Sequence, residues 1–106
     1  MRRFASLRRN ADFARLRQRG RRTTTKNLTL YRGQGKPQGE RPLVGITVST
    51  HVGKAVIRNR IKRRLAASLH ELVPSDPQLR LLVIARPSAA EASYKELYAE
   101  LAQALQ

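Results

Sequence analysis

The chain has 106 residues, which suits one domain spanning 1–106, and its 22 Lys and Arg against 7 Asp and Glu give a formal net charge of +15. It has no cysteine, which excludes disulfides, and its two histidines lack the spacing of a zinc site, so we expect no metal bound by the protein alone. No apolar run approaches the roughly 18 residues of a membrane span, and the start lacks the apolar stretch of a secretory signal, so we expect a cytoplasmic protein without membrane contact.

The positive charge is concentrated in one part of the sequence. Residues 1–64 hold 19 basic and 2 acidic side chains, whereas residues 65–106 hold 3 basic and 5 acidic ones. Seventeen of the 22 basic residues are arginine, whose planar guanidinium fits a phosphate with two hydrogen bonds and stacks on bases. A surface charged only for solubility would spread its charge, so the asymmetry predicts one face that binds a nucleic acid.

The first half of the chain predicts a helix and two strands. Asn10 can cap a helix over 11–19, and Gly20 can end it in a left-handed conformation. Residues 22–32, rich in alternating Thr, Leu and Tyr, predict one strand, and the β-branched residues 43–50 predict another. Because the segment 33–42 holds three glycines and two prolines, we expect an antiparallel hairpin with a long loop.

The second half predicts a long helix, a buried strand and a final helix. Residues 55–72 repeat apolar side chains at i, i+4 and i+8, and residues 79–85 form a continuous apolar run of strand length. Ser93 followed by Glu96 matches the capping box at the start of a helix. The order α-β-β-α-β-α is typical of an α+β domain, a small sheet with helices packed on it.

The segment 53–65 predicts the most basic surface. At about 100° per residue, Ile57, Ile61 and Leu65 lie on one face that can pack on the sheet. Residues 54–64 contain six basic side chains and no acid, and like charges at i, i+4 repel by about a few tenths of a kcal/mol per pair. A helix surface with this much positive charge, which we call the basic ridge, is expected where a polyanion neutralises it. The free N–H groups at the start of the helix also offer a place for a phosphate oxygen.

In this segment the sequence resembles the protein component of bacterial ribonuclease P. That family carries an Arg-Asn-Arg motif within a Gly-x-Ala-Val-x-Arg-Asn-Arg-x-Lys-Arg frame, which residues 53–63 match. The matching residues are Gly53, Ala55, Val56, Arg58, Asn59, Arg60, Lys62 and Arg63. Further segments fall in register over about residues 7–105, among them Asp12 with Phe13, Gly20, Leu28 to Tyr31, Val44 to Ser49 and Leu82 to Arg86.

The resemblance implies a fold and a function. The family fold is an α+β sandwich similar to the second domain of ribosomal protein S5, with a left-handed β-α-β crossover where general rules favour a right-handed one. The chain would then be the protein subunit of the ribonucleoprotein that removes the 5′ leader of precursor tRNA by hydrolysis. Its partners would be the ribonuclease P RNA and that leader, with no protein partner evident. The RNA and the Mg²⁺ that it binds would carry the chemistry, so the protein would supply no catalytic residue.

The resemblance also implies a set of residues that contact the catalytic RNA. These are Lys54, Arg58, Asn59, Arg60, Lys62, Arg63 and Arg64. Two of them keep a second interpretation. Asn59 can be an ordinary polar residue of the helix surface, and Arg64, which lies nearest the apolar face, can pack its stem and leave only its head in solvent.

A cleft for the single-stranded leader is the second site that the resemblance implies. Phe13 and Tyr31 match its aromatic positions, and aromatic rings stack on bases without demanding a sequence. Arg17 stands where the family often has another aromatic, so a phosphate contact replaces a stack there. His51 stands where the family often has a basic residue, and it is either a phosphate contact or an ordinary loop histidine. Phe13 and Tyr31 also keep their structural interpretation, as core and strand residues.

Three other classes of protein remain open at this point. A ribosomal protein or RNA chaperone of similar fold fits the charge and the basic helix equally well. A stand-alone nuclease fits poorly, because residues 1–64 offer only Asp12 and Glu40 as carboxylates and the two histidines lie on different predicted elements. A DNA-binding protein is disfavoured by the aromatic cleft positions and by the lack of a recognisable DNA-binding motif.

Overall fold

Five strands and three α-helices lie within residues 2–106, the part of the chain that the computed structural model describes. In chain order they are β1 Ala5–Ser6, α1 Asn10–Arg19, β2 Arg21–Thr24, β3 Leu28–Gln34, β4 Leu43–Val48, α2 Ala55–Leu72, β5 Leu79–Ala85 and α3 Tyr94–Ala104. A 3-10 helix, Pro87–Glu91, precedes α3. Within this described part, no helix is both long enough and apolar enough to cross a membrane.

The apolar run of β5 makes it the central strand of a five-stranded sheet. The strand order is β1-β4-β5-β3-β2. β5 runs parallel to β4 and antiparallel to β3, so that Val83 lies opposite Ile46 on one side and Leu30 on the other. A strand that is apolar on both faces must have helices over both, and the predicted buried strand at 79–85 is confirmed.

The predicted pairing of the two strands that flank the long loop is wrong. β3 and β4 are not neighbours, because β5 lies between them and pairs with both. The apolar β5 buries its backbone, so its N–H and C=O groups need a partner strand on each edge. β4, α2 and β5 therefore form a parallel β-α-β unit, and the left-handed sense of its crossover stays a prediction of the family resemblance.

The predicted strand over 22–32 is in fact two strands. β2 and β3 pair as an antiparallel hairpin in which Thr23 lies opposite Leu30. The turn between them is held by α3, since the Glu100 carboxylate accepts hydrogen bonds from the Thr25 hydroxyl, from the Asn27 backbone N–H (2.8 Å) and from the Asn27 side-chain amide (2.6 Å). A partner 73 residues away thus decides where the strand is interrupted.

The larger core lies between the sheet and helices α2 and α3. Leu65 and Leu69 of α2, Leu97 and Leu101 of α3 and Leu81 of β5 are fully buried there. Each such side chain stabilises the fold by about 1.5–3 kcal/mol relative to its exposed state. The predicted bounds of α2 and its apolar stripe are confirmed, so the opposite side of this helix faces outward.

Helix α1 covers the other face of the sheet only in part. Leu16 is buried there with Leu43 and Leu82, and Phe13 and Tyr31 pack half-buried at the margin of this smaller cluster. With ten residues, α1 is too short to cover all five strands. An accessible stretch of sheet therefore remains beside it.

The helix ends agree with the sequence at α3 and differ at α1. The capping box is present, with the Ser93 hydroxyl accepting from the Glu96 backbone N–H (3.1 Å). In α1 the N-cap is Arg9 and Asn10 is the first helical residue, so the predicted cap is wrong. Gly20 is extended (φ −71°, ψ 155°) rather than left-handed, and a Cβ there would lie 2.4 Å from the Leu16 carbonyl oxygen. Close packing, not a left-handed turn, is what requires glycine at this position.

Candidate nucleic-acid interface

The outward side of α2 carries the predicted basic ridge. Ile61 and Leu65 are buried against the sheet and fix the rotation of the helix. Of the residues predicted to contact RNA, four are exposed: Lys54, Asn59, Lys62 and Arg63. The other three, Arg58, Arg60 and Arg64, are half-buried on the flanks of the helix. The seven residues thus surround the buried stripe of α2, with Arg58 on one flank of the helix and Arg60 and Arg64 on the other.

Two of the half-buried arginines are anchored to the backbone. Arg64 Nη1 donates to the Ala92 carbonyl (3.1 Å) and Arg60 Nη2 donates to the Ala90 carbonyl (3.4 Å). Ala90 lies within the 3-10 helix and Ala92 is the residue that ends it, so both bonds tie α2 to that short helix. This contact orients the two guanidinium groups, which retain further N–H donors for an external acceptor.

Buried donors occur on the same helix. Within residues 2–106, the Nε–H groups of Arg58 and Arg60 are buried and have no hydrogen-bond partner. Leaving a buried donor unpaired costs about 1–3 kcal/mol. Because these Nε–H groups are shielded from solvent, the terminal N–H groups of the same guanidinium groups are the donors that an external acceptor can reach.

The accessible face of the sheet carries the two predicted aromatic residues. The ring of Phe13 lies directly on Gly45 of β4, where an added Cβ would be 2.9 Å from the Phe13 Cε1 atom. Tyr31 and Ile84 lie half-buried on the same face. Arg17 is exposed one helical turn after Phe13. The structure therefore gathers the predicted cleft residues around one partly apolar surface.

A groove of about 340 Å³ joins this surface to the basic ridge. Lys62 and Arg63 of α2 line one side and Phe13 of α1 lines the other, with Gly45 and Ile46 between them. The groove exists because β1 pairs with β4 only at Leu43 and Val44, which leaves the rest of that β4 edge uncovered by a strand. One strand of nucleic acid can thus contact both surfaces.

The N-terminal segment contributes to this groove in a way that sequence reasoning missed. Arg2 and Phe4 line it, and the Arg2 guanidinium carbon lies 5.6 Å from the centre of the Phe4 ring. Phe4 is buried in the larger core, next to a strand of two residues. Two residues are too few for an alternating pattern, so the sequence carried no signal for β1.

The loop before α2 holds His51. Its side chain is exposed, three residues before the N-cap residue Lys54. Lys54 makes no side-chain capping hydrogen bond, so the first backbone N–H groups of α2 remain uncapped by it. No group of three His, Cys, Asp or Glu side chains that could hold a metal ion occurs within residues 2–106.

Together these features define a small α+β protein in which a basic helix and a half-buried aromatic surface meet along one groove. Arginine-rich helices and stacking aromatics on a sheet are the means by which proteins bind single-stranded RNA. Comparison with known proteins makes the assignment specific. The family model of ribonuclease P matches residues 1–106, and the chain belongs to the ribonuclease P protein family.

Relatives in several bacteria carry the same description, ribonuclease P protein component. The protein of Thermobifida fusca is 43% identical over 93% of this chain and 72% of its own length, and that of Acidothermus cellulolyticus is 39% identical over 89% and 79%. The protein of Thermus scotoductus is 58% identical over 62 residues, which are 58% of this chain and 37% of that protein. The match thus spans well under half the length of the Thermus relatives.

Solved structures of the family share the fold. The RNase P protein of Staphylococcus aureus superposes with a TM-score of 0.81 and 26% identity, over 92% of this chain and 89% of that one. The RNase P protein of Thermotoga maritima superposes with a TM-score of 0.78 over 93% of this chain and 95% of that one. Its sequence identity of 21% means that this match supports a shared fold alone. The predicted α+β class is confirmed.

Proposed function

We propose that this chain is the protein subunit of a ribonuclease P ribonucleoprotein and acts as a single RNA-binding domain. It binds the catalytic RNA through α2 and the 5′ leader of precursor tRNA on the sheet face beside α1. In doing so it promotes the endonucleolytic hydrolysis that matures the 5′ end of tRNA in the cytoplasm. The observation that carries the proposal is the groove in which Lys62 and Arg63 face Phe13.

The catalytic RNA is the partner of the α2 surface. The proposed contacts are Lys54, Arg58, Asn59, Arg60, Lys62, Arg63 and Arg64, with His51 as a further phosphate contact at the helix start. Support comes from the solvent exposure of four members of this set and from the backbone hydrogen bonds that orient the guanidinium groups of Arg60 and Arg64. No acid lies between positions 54 and 64, so the N-terminal half of α2 contributes only positive charge to this surface.

The leader of precursor tRNA is the partner of the aromatic face. Bases stack on Phe13 and Tyr31, and Arg17 binds a leader phosphate. Stacking contributes about 1–3 kcal/mol per base and tolerates any sequence, which suits one enzyme that processes many precursors. The half-buried state of both rings supports this role, since each ring is held by the protein on one side and accessible on the other.

The hydrolytic chemistry belongs to the RNA subunit in this proposal. Mg²⁺ would be held mainly by that RNA and would supply the activated water there, and the role proposed for the protein involves no metal of its own. Within residues 2–106 the carboxylates and histidines form no cluster that could hold a metal. The protein's contribution is to hold the leader beside the RNA, which raises the local concentration of substrate at the active centre.

Single-turnover cleavage at low Mg²⁺ tests this function. A precursor tRNA with a 5′ leader is incubated with a bacterial ribonuclease P RNA, with and without the protein, and with the protein alone. We expect a large rate increase that requires both subunits and that Phe13→Ala reduces at subsaturating substrate. Tight RNA binding without any increase would overturn the proposal in favour of a ribosomal or chaperone role, and lasting cleavage by the protein alone would revive the stand-alone nuclease.

A further inference from the structure

A second concave surface lies between α1 and the end of β3, and no role proposed above uses it. Its volume is about 570 Å³. We call it the α1–β3 cavity, and its charged lining residues are Arg9, Asp12, Arg15, Arg19, Lys36 and Arg80. Five of these six side chains are cationic, and a volume of this size falls within the roughly 300–1,000 Å³ of small-molecule sites.

This cavity lies on the opposite flank of α1 from the aromatic face. At about 100° per residue, Arg15 and Arg19 point away from Phe13 and Arg17, with Leu16 directed at the sheet between the two flanks. Leu16 is buried, and the lining of the groove that contains Phe13 shares no residue with the lining of the α1–β3 cavity. A ligand here would therefore occupy a site separate from the leader surface.

The floor of the cavity is a buried arginine with unusual partners. Arg80 is 5% exposed, and the three hydrogen bonds of its guanidinium all end on backbone carbonyls, those of Pro77 (3.3 Å), Leu79 (3.2 Å) and Lys36. Carbonyl dipoles solvate the positive charge without neutralising it. Burying a charge is costly unless an opposite charge compensates it, so an anion in the cavity would stabilise this arrangement.

The rim of the cavity is fixed by hydrogen bonds to the sheet. The Gly35 backbone N–H donates to the Gln78 carbonyl (2.8 Å), and Arg80 holds the Lys36 carbonyl. Gly35 also lies against the Arg80 guanidinium, where an added Cβ would be 3.1 Å from Nε. The backbone of the loop that carries Lys36 is thus positioned by the same arginine that charges the floor, which places Lys36 on the cavity lining across from α1.

We propose that the α1–β3 cavity binds the phosphate of a ribonucleotide. Arg9, Arg15, Arg19 and Lys36 contact the phosphate oxygens, and Arg80 adds its charge from below while it holds the rim. The cavity is larger than a lone phosphate requires, so the nucleoside is accommodated as well. Asp12, on the same flank of α1, accepts a hydrogen bond from a ribose hydroxyl or a base amino group.

Solution NMR of the full chain tests the site with adenosine 5′-monophosphate as the probe, titrated at constant ionic strength. The amide signals of Gly33 and Gly35 report on the cavity, and that of Gly45 reports on the aromatic face. We expect saturable shifts at Gly33 and Gly35 with little change at Gly45. In an Arg15→Ala, Lys36→Ala double variant the dissociation constant should rise at least tenfold, whereas Lys26→Ala, Lys95→Ala, which removes the same charge elsewhere, should leave it unchanged.

Two results would overturn the proposal. One is a set of saturable shifts confined to Gly45, and the other is an equal loss of affinity in both double variants, which would mean that net charge alone attracts the probe. Because Phe13 does not line the α1–β3 cavity, Phe13→Ala tests leader binding and Arg15→Ala, Lys36→Ala tests this site, so the two failures are distinguishable.

Adding ribonuclease P RNA then identifies the source of the phosphate. Displacement of the mononucleotide by the RNA, together with weaker RNA binding by the Arg15→Ala, Lys36→Ala variant than by the Lys26→Ala, Lys95→Ala variant, assigns the cavity to the RNA backbone. Unchanged mononucleotide binding in the assembled ribonucleoprotein assigns it to a free nucleotide. Either result supports the site, since both require the same convergent cationic groups.

Discussion

Single side chains hold together segments that are far apart in this chain. Glu100 of α3 accepts three hydrogen bonds from residues 25 and 27, and Asn27 is 1% exposed. Arg3 donates to the carbonyls of His70 (3.3 Å), Glu71 (2.9 Å) and Val73 (2.9 Å), at the C-terminal end of α2. That end carries the negative pole of the helix dipole, where a guanidinium is stabilising. Charged residues such as Glu100 and Arg3, which a sequence pattern would assign to the solvent-exposed surface, thus have structural roles.

Replacing Glu100 by Ala should destabilise the protein by about 1–3 kcal/mol, because the buried donors of Asn27 lose their acceptor. Guanidinium denaturation, fitted to a two-state transition, measures the change in the free energy of unfolding. Glu91→Ala removes a carboxylate from an exposed position of the 3-10 helix and is the matched control. Equal denaturation midpoints for the two variants would contradict the role of Glu100.

The contact between the single side chains of Tyr98 and Glu71 depends on pH. The hydrogen bond to Glu71 raises the pKa of the Tyr98 hydroxyl above the ordinary 10.0, and desolvation and the charge of Glu71 act in the same direction. Since the folded state raises this pKa, the associated stabilisation is present below about pH 10 and is lost as the pH rises through the folded-state value.

Glu71→Gln should therefore lower the pKa of Tyr98 towards 10.0. The ring resonances of Tyr98, followed by NMR between about pH 9 and 12, report its ionisation. Glu91→Gln removes the same charge at a distance and should leave the titration of Tyr98 in place. A Tyr98 midpoint that is the same in both variants would show that Glu71 does not control it.

Among the elements, those with a strong internal pattern could be predicted from the sequence. The bounds of α2 follow from its apolar repeat and from Gly53 and Pro74 at its ends, and β5 follows from its continuous apolar run. The pairing of strands could not be predicted, because the partner of β3 and β4 is β5, which lies far along the chain from both. The turn at residues 25–27 depends on Glu100 and carries no local signal of comparable strength.

Only the part of the candidate site that depends on neighbouring residues in the sequence could be predicted. The basic side of α2 could be predicted from the spacing of Ile61 and Leu65, because the burial of these two residues determines which positions of the helix face outward. The groove that joins this side to Phe13 depends on where β1 stops pairing with β4. Likewise, the buried position of Arg80 follows from the strand order and not from its neighbours in sequence.

Within α2, exposed and anchored basic residues should differ in their effect on RNA binding. Lys62→Ala, Arg63→Ala should reduce the slope of log affinity against log salt by about 0.7–0.9 per lost phosphate contact, with little change in stability because both side chains are exposed. Arg64→Ala should also lower stability, since Arg64 donates to the Ala92 carbonyl. Filter binding to ribonuclease P RNA at several salt concentrations, together with thermal melts, separates the two effects. An unchanged slope in the double variant would remove this helix from the interface.

In the molecule as a whole, most of the positive charge and much of the hydrophobic core come from different parts of the chain. Residues 65–106 supply β5, α3 and much of the larger core, whereas residues 1–64 carry 19 basic side chains against 2 acidic ones. In the folded state those cations lie on α1, on the first half of α2, on β2 and β3 and in the loops around the sheet. Repulsion between these cations destabilises the folded state, and bound anions stabilise it by reducing that repulsion.

The free protein should for this reason be partly unfolded at low salt and stabilised by sulfate or phosphate. Specific binding to the folded state adds RT ln(1 + [L]/Kd) to its stability, whereas simple screening depends on ionic strength alone. Urea denaturation in sodium sulfate and in sodium chloride at equal ionic strength removes the contribution of screening, and because sulfate also stabilises proteins by exclusion from their surface, a comparison of charge-matched variants isolates the contribution of binding sites. We expect a higher midpoint in sulfate, and a smaller difference between the salts for Arg15→Ala, Lys36→Ala than for Lys26→Ala, Lys95→Ala. Identical midpoints in the two salts would mean that the folded protein has no anion sites and that screening alone offsets its charge.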